Sequence, residues 1–362
     1  MKAVVAHEVD NFSVVNVDLD PPKTGEVLVK MQATGICHSD LSIINGTIRW
    51  KLPSVLGHEG AGIIEQVGEG VTQVKPGDHV VLSFVPNCGH CYNCERAEPH
   101  MCRMNKPHGG LLDGTSRVKM NGEEIAVMSF LGNMAEYCVV PEACVVSIDK
   151  SYDFKAAALV GCGVTTGVGA AIKTAEVKPG STVAVFGCGG VGLNVIQGAR
   201  IAGAAKIIAI DIIDSKLDMA TQFGATHTIN SKDTDNLEEA IHEINDGEGV
   251  EYAFEAIGVP DAATQAFNIT RAGGTTVVVG MHPLGSEISV PGPAFLQEKK
   301  LIGCMYGSTR FREHMPKLID LFLQDKLDLT SLVSRRLKLD DVNEAFRSMK
   351  AGEVARSVLE FS

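Results

Sequence analysis

Hydrophobic and polar positions along the chain fall into two textures. Up to about residue 160, short apolar runs are broken every few residues by glycine, proline and charged turns. Runs at 27–31, 62–67, 79–83, 137–140 and 144–147 read as β-strands of a mostly antiparallel unit with Greek-key or barrel character. From about 165 to 303, buried-looking strands at 182–186, 207–210, 226–229, 252–255, 275–279 and 301–303 alternate with helical segments such as 191–201 and 216–223. That alternation predicts an α/β unit, a parallel sheet covered on both faces. The tail predicts helices at 315–324 and 339–349 and a last strand at 357–360. It is too short for a domain of its own and is expected to fold back on the N-terminal unit.

At 362 residues the chain has room for two domains and ample core. Its net charge of −12 argues against nucleic acid or an anionic membrane as a partner. No eighteen consecutive residues are apolar, and the N-terminus has no apolar leader run, so a cytoplasmic protein is expected. In that reducing setting the ten cysteines suit metal ligands and buried thiols better than disulfides.

Four of those cysteines, Cys88, Cys91, Cys94 and Cys102, follow the spacing C-x2-C-x2-C-x7-C. The short gaps turn neighbouring thiolates inward on one loop, and the longer gap returns a fourth sulfur. Such a set suits a closed zinc site. An iron–sulfur cluster and a pair of disulfides are the rival readings at this point, although the bacterial ferredoxin run is spaced differently.

A buried strand at 182–186 runs directly into Gly187-Cys188-Gly189-Gly190-Val191-Gly192 and then an apolar helix. This is G-x-G-x-x-G in the context that dinucleotide binding requires. Gly187 allows the turn, Gly189 lets backbone approach a pyrophosphate, and Gly192 allows close helix–strand contact. Asp211 ends the next strand nineteen residues beyond Gly192. Its carboxylate can accept from ribose hydroxyls and would repel a 2′-phosphate, so NAD is expected over NADP. A helix N-cap is the plain alternative for this residue.

Three further groups have ligand character: Cys37 in Gly-Ile-Cys-His-Ser-Asp, His58 in Gly-His-Glu, and Cys162 in Gly-Cys-Gly. Singly, each reads as an ordinary buried thiol or histidine. Together with the run from Gly57 through Gly62, Gly68 and Val71, the four-cysteine lobe, the stretch 161–167 and the nucleotide glycines, they come in a distinctive order. On those motifs the whole chain resembles the zinc-dependent medium-chain alcohol dehydrogenases.

The resemblance implies a GroES-like catalytic domain at 1–164 and 305–362, and a Rossmann NAD domain at 165–304. It implies two zinc ions per chain: a catalytic one on Cys37, His58 and Cys162, and a structural one on the four-cysteine lobe. The catalytic ligand set is a known property of that family. Ser39 then contacts the substrate oxygen, Asp40 orients His58, and Glu59 sits behind the metal. Thr166, Lys216, His38 and Arg356 carry over, with Gly190 and Val191, as NAD contacts. Phe84 and Met281 carry over to the pocket for a small alcohol or aldehyde.

Two departures matter. Many family members end a proton relay in a histidine where this chain has Ser42, and serine accepts protons poorly near neutral pH. The long excursion at 103–130 looks like the dimeric branch, so a homodimer is expected. Arg49 and Lys106 fall near the expected pocket rim. They raise a thiol-adduct formaldehyde dehydrogenase as an alternative, beside a nicotinoprotein that retains NAD; solvated surface charges are the simpler account. Reduction of activated double bonds is disfavoured, since those relatives usually lack the catalytic zinc ligands. A non-catalytic zinc- or NAD-binding protein would be free to lose a ligand, and none is lost. Cys138, Cys144, Cys188 and Cys304 read as buried structural thiols.

Overall fold

The computed structural model describes residues 1–361. The chain divides into two compact units. The first comprises Met1–Cys162, Arg310–Phe322 and the segment from Leu329 to the end of the described residues; the second comprises Gly163–Thr309 and Leu323–Asp328. The expected boundaries at 164/165 and 304/305 differ from these by a few residues and omit Leu323–Asp328. That segment joins the second unit through Gln197, whose amide donates to the Asp328 carbonyl at 3.1 Å and accepts the Asp328 N–H at 2.7 Å.

In the first unit the long strand Glu26–Gly35 is central. Gly60–Val67 pairs with it antiparallel, and Tyr137–Pro141 pairs antiparallel with its first half. The last strand, Arg356–Glu360, pairs antiparallel with its end and carries Arg356 back to the segment around Cys37. A second sheet holds the N-terminal hairpin Lys2–Glu8 and Asn11–Asn16, which the sequence reading passed over. Val27, Val29, Met31, Ile64 and Leu82 pack into one core; Val4 with Ile36, Leu41, Leu56 and Phe346, drawn from helices and connections, forms another.

The second unit has a six-stranded, all-parallel sheet. In chain order its strands are Thr182–Phe186, Lys206–Asp211, His227–Asn230, Val250–Glu255, Thr270–Val278 and Lys300–Gly303. Their spatial order is 3-2-1-4-5-6, the doubly wound arrangement with its switch point beside the first strand. Helices Gly190–Ile201, Asp214–Gln222, Leu237–Ile244 and Pro260–Asn268 make the crossovers. Every residue of Thr182–Phe186 is buried, as a central parallel strand requires.

Among the described residues one helical run, Phe154–Thr174, is long and apolar enough to cross a membrane by length and composition. Its glycines, threonines and lysines interrupt the apolar run, so no unbroken apolar stretch marks it in the sequence. Most of the run is buried inside the protein, as in a core helix. Two stretches, Val160–Val164 and Ala170–Thr174, have π-helical turns. The first carries Cys162, and single π turns of this kind recur at functional sites.

Candidate metal and dinucleotide sites

Cys37 follows the end of the Glu26–Gly35 strand and caps the helix His38–Ile44. His58 and Glu59 lie in the turn that enters Gly60–Val67, and Cys162 lies on the π turn. One ligand atom from each of Cys37, His58, Glu59 and Cys162 lies within 4.8 Å of every other. Three ligand groups expected from the sequence therefore meet at one buried point.

Asp40 organises two of them. Its Oδ2 accepts the Cys37 N–H at 3.1 Å, its Oδ1 accepts the Gly57 N–H at 3.0 Å, and Oδ1 lies 3.4 Å from His58 Nδ1. His58 Nε2 is buried with no partner among the described residues. Burial disfavours a charged imidazole, yet the Asp40 and Cys37 charges outweigh it and hold the ring's pKa well above the usual value. Cys37 is held well below the usual thiol value, first by the hydrogen bond with Cys162 and against the opposing effect of burial. Cys162, the proton-bearing partner, is raised. A buried set of two sulfurs and one unpartnered nitrogen, in a field that favours positive charge, fits zinc.

Glu59 is fully buried and ion-paired to Arg356, whose guanidinium also donates to the Ile36 carbonyl at 3.0 Å. Burial raises the Glu59 pKa, and Arg356 opposes the rise. Arg356 is 5 % exposed, so its charge is buried. Ser39 Oγ lies 3.8 Å from Cys37 Sγ, so its hydroxyl borders the ligand cluster. The Phe84 ring stands nearly perpendicular to the His58 imidazole with centroids 5.6 Å apart, forming a wall beside it. The Ser42 hydroxyl instead donates to the His38 carbonyl at 2.9 Å. His38, Arg49 and Lys106 are exposed.

The four-cysteine lobe forms a second cluster in the same unit. Cys91 Sγ lies 3.6 Å from Cys94 Sγ and 3.8 Å from Cys102 Sγ, and Cys102 Sγ lies 3.6 Å from Cys88 Sγ. A tetrahedron of bonds of ~2.3 Å around one ion requires sulfurs roughly 3.8 Å apart. Disulfides need about 2.05 Å, and all ten cysteines are free, which removes that rival. Backbone N–H groups of Arg103 and Cys94 draw the Cys91 pKa down to about 6. Burial pushes Cys102 up to about 12. Cys138, Cys144 and Cys188 are buried and Cys304 half-buried, and burial raises all four thiols.

In the second unit Gly187 has φ +89°, which favours glycine. A Cβ on Gly192 would overlap the Gly187 carbonyl, so the helix can approach the strand only without a side chain there. Nothing lies within 4 Å of a Cβ built on Gly189. The protein's own atoms leave that space open, and a phosphate beside the uncapped start of the Gly190–Ile201 helix would fill it. Asp211 is buried and no helix N-cap: Oδ2 accepts the Cys188 N–H at 2.8 Å, and Oδ1 accepts the Ile212 and Ile213 N–H groups at 2.8 and 3.2 Å. It thus anchors the glycine loop. Thr166 and Lys216 are half-buried, and Met281 is exposed.

Sequence reasoning missed Thr34 and Asn133: Thr34 Oγ1 lies 2.6 Å from the Glu59 carbonyl and 3.1 Å from Asn133 Oδ1. Thr34 reads as one more strand residue and Asn133 as loop. Only the fold brings them to the site.

Residues 23–150 match a family described as alcohol dehydrogenase GroES-like domain, and residues 190–324 match one described as zinc-binding dehydrogenase. Similar solved structures include an alcohol dehydrogenase zinc-binding domain protein from Burkholderia ambifaria, 35% identical, with TM-score 0.94 over 100% of this chain and 98% of that one. Another is a benzyl alcohol dehydrogenase from Acinetobacter calcoaceticus, 33% identical, with TM-score 0.94 over 100% and 99%. A zinc-binding dehydrogenase from Sinorhizobium meliloti 1021, bound to NADP, is 28% identical with TM-score 0.82 over 99% of each chain.

Proposed function

Because the chain belongs to the zinc-dependent medium-chain alcohol dehydrogenase family, we propose that it passes hydride reversibly between the carbinol carbon of a primary alcohol and NAD, giving an aldehyde. The observation that carries this reading is the meeting of Cys37, His58 and Cys162 at one buried point, with His58 Nε2 unpartnered among the described residues. Zinc held there by Cys37, His58 and Cys162 would supply a Lewis acid for the alcohol or carbonyl oxygen, and the nicotinamide would supply the hydride acceptor. Ser39, its Oγ beside Cys37, would accept a hydrogen bond from the alcohol hydroxyl and release its own proton to water as the alcohol's proton moves onto it. Asp40 fixes the backbone and ring of the ligand segments, while Arg356 neutralises Glu59 behind them. Thr166 is proposed to reach the cofactor's nicotinamide and Lys216 its adenosine ribose, whereas Arg356 is held by Glu59 and the Ile36 carbonyl and is not free for a pyrophosphate. The four-cysteine lobe would hold a second zinc and do no chemistry.

An aromatic primary alcohol is the substrate class best supported. The benzyl alcohol dehydrogenase is 33% identical over 99% of its length, and the Phe84 ring beside His58 offers a flat apolar wall. NAD is preferred because Asp211 holds a buried negative charge beside the glycine loop, where a 2′-phosphate would be repelled. A homodimer is supported by the edge strand Lys300–Gly303 and by Leu284 and Leu296, which are 92% and 89% exposed. Light scattering would then read twice the chain mass, and a monomer would count against it. Ten free cysteines suit a reducing cytoplasm. The experiment for the activity itself is NADH formation from benzyl alcohol as zinc is withdrawn.

A further inference from the structure

Two glycines flank His58 and Glu59, and one buried side chain sits against both. A Cβ on Gly57 would overlap Asn133 Oδ1, and a Cβ on Gly60 would overlap Asn133 Nδ2. The carboxamide therefore fills the space those two glycines leave. Asn133 is fully buried, and its N–H donates to the Gly57 carbonyl at 3.3 Å. The segment that presents His58 and Glu59 is braced along its inner side.

The hydrogen bonds around this amide contain a conflict. The Thr34 hydroxyl lies 2.6 Å from the Glu59 carbonyl oxygen and 3.1 Å from Asn133 Oδ1. It has one proton and can donate to only one of them. The shorter distance assigns that proton to Glu59, whose carbonyl also accepts the Gly35 N–H at 3.0 Å. Asn133 Oδ1 would then face an oxygen with no proton between them, while Nδ2 is buried without a partner among the described residues. Turning the carboxamide by half a rotation removes both faults. Its N–H2 then donates to Thr34 Oγ1, and the oxygen takes the other position, where a lone acceptor costs less than a lone donor.

We propose that Asn133 and Thr34 form a directional hydrogen-bond chain, Asn133 N–H to Thr34 O–H to Glu59 carbonyl, that positions the His58–Glu59 segment for the metal. Both are positioning residues; neither belongs to the ligand cluster. Groups that orient metal ligands from behind typically alter metal affinity by ~10–100-fold when removed. The inference rests on the zinc reading of Cys37, His58 and Cys162, and its test separates the two.

The test measures the rate at which zinc leaves the full-length protein for the chelator dipicolinate, read with a zinc-sensitive dye. Wild type is expected to release one labile zinc and retain a second. Thr34→Val keeps the side-chain shape and removes only the hydroxyl, and Asn133→Leu removes the donor. Each is expected to speed the labile release by roughly 10–100-fold, with Thr34→Ser close to wild type. Because the two residues act in series, the double variant should release zinc no faster than the quicker single one. Asn133→Ala replaces Asn133→Leu if leucine prevents folding. Unchanged release in Thr34→Val, or single effects that multiply in the double variant, would overturn the chain. A wild-type protein with no labile zinc would instead overturn the metal reading.

Discussion

Asp40 Oδ1 lies 3.4 Å from His58 Nδ1, and the same carboxylate accepts the N–H groups of Cys37 and Gly57. One fully buried acid thus fixes two ligand segments that are far apart in sequence. Asp40→Asn preserves the shape but removes the charge and turns one acceptor into a donor. Zinc affinity at this cluster should fall by ~10–100-fold while the four-cysteine lobe keeps its metal. Competition with a chelator, followed by metal analysis, checks this; equal loss from both sites would contradict it.

The lobe should respond in the opposite way. Cys94→Ser removes one corner of a sulfur set with three edges of 3.6–3.8 Å. Metal binding there is coupled to folding of the loop, so thermal stability should fall by ~5 °C or more while the folded enzyme keeps most of its kcat. A large loss of kcat with unchanged Tm would assign the lobe to catalysis.

The Ser42 hydroxyl is occupied by the His38 carbonyl and does not titrate near neutrality. Ser42→His introduces a group with an ordinary pKa of about 6.5 in the last turn of the short helix His38–Ile44. If a fast proton exit is missing, alcohol oxidation should gain rate as pH rises through that value, because only neutral imidazole accepts a proton. The pH profile of kcat/KM reads this directly, and an unaltered profile would remove the relay argument.

Asp211 anchors the glycine loop at Cys188, and in the proposed reading the same carboxylate would repel the 2′-phosphate of NADP. Asp211→Ser should raise KM for NAD and improve the ratio of NADP to NAD use by ~10-fold or more. Paired kcat/KM measurements with both cofactors decide it. A ratio equal to that of wild type would place the discrimination elsewhere.

Much of this molecule is legible before folding. Strands at 182–186 and 207–210 are short apolar runs between turn signals, and the structure has Thr182–Phe186 and Lys206–Asp211 there. The nucleotide loop is local, so its glycines and Asp211 can be read from spacing. Cys37, His58 and Cys162 cannot; separations of 21 and 104 residues carry no geometry, and resemblance supplied them. Phe154–Thr174 was concealed by its glycines and threonines, which π turns and burial accommodate. Thr34 and Asn133 stand 99 residues apart and meet only because the Glu26–Gly35 strand runs beside the Gly57–Gly60 turn. Their role depends on hydroxyl and amide protons, which no periodicity encodes.

The central claim is that Cys37, His58 and Cys162 hold the zinc that hydride transfer requires. Stepwise withdrawal of zinc by dipicolinate, with NADH formation from benzyl alcohol followed at each step, tests it most directly. About two zinc ions per chain should be present at the start, and activity should fall in proportion to the first one lost. Full activity in protein that has lost that zinc would contradict the account.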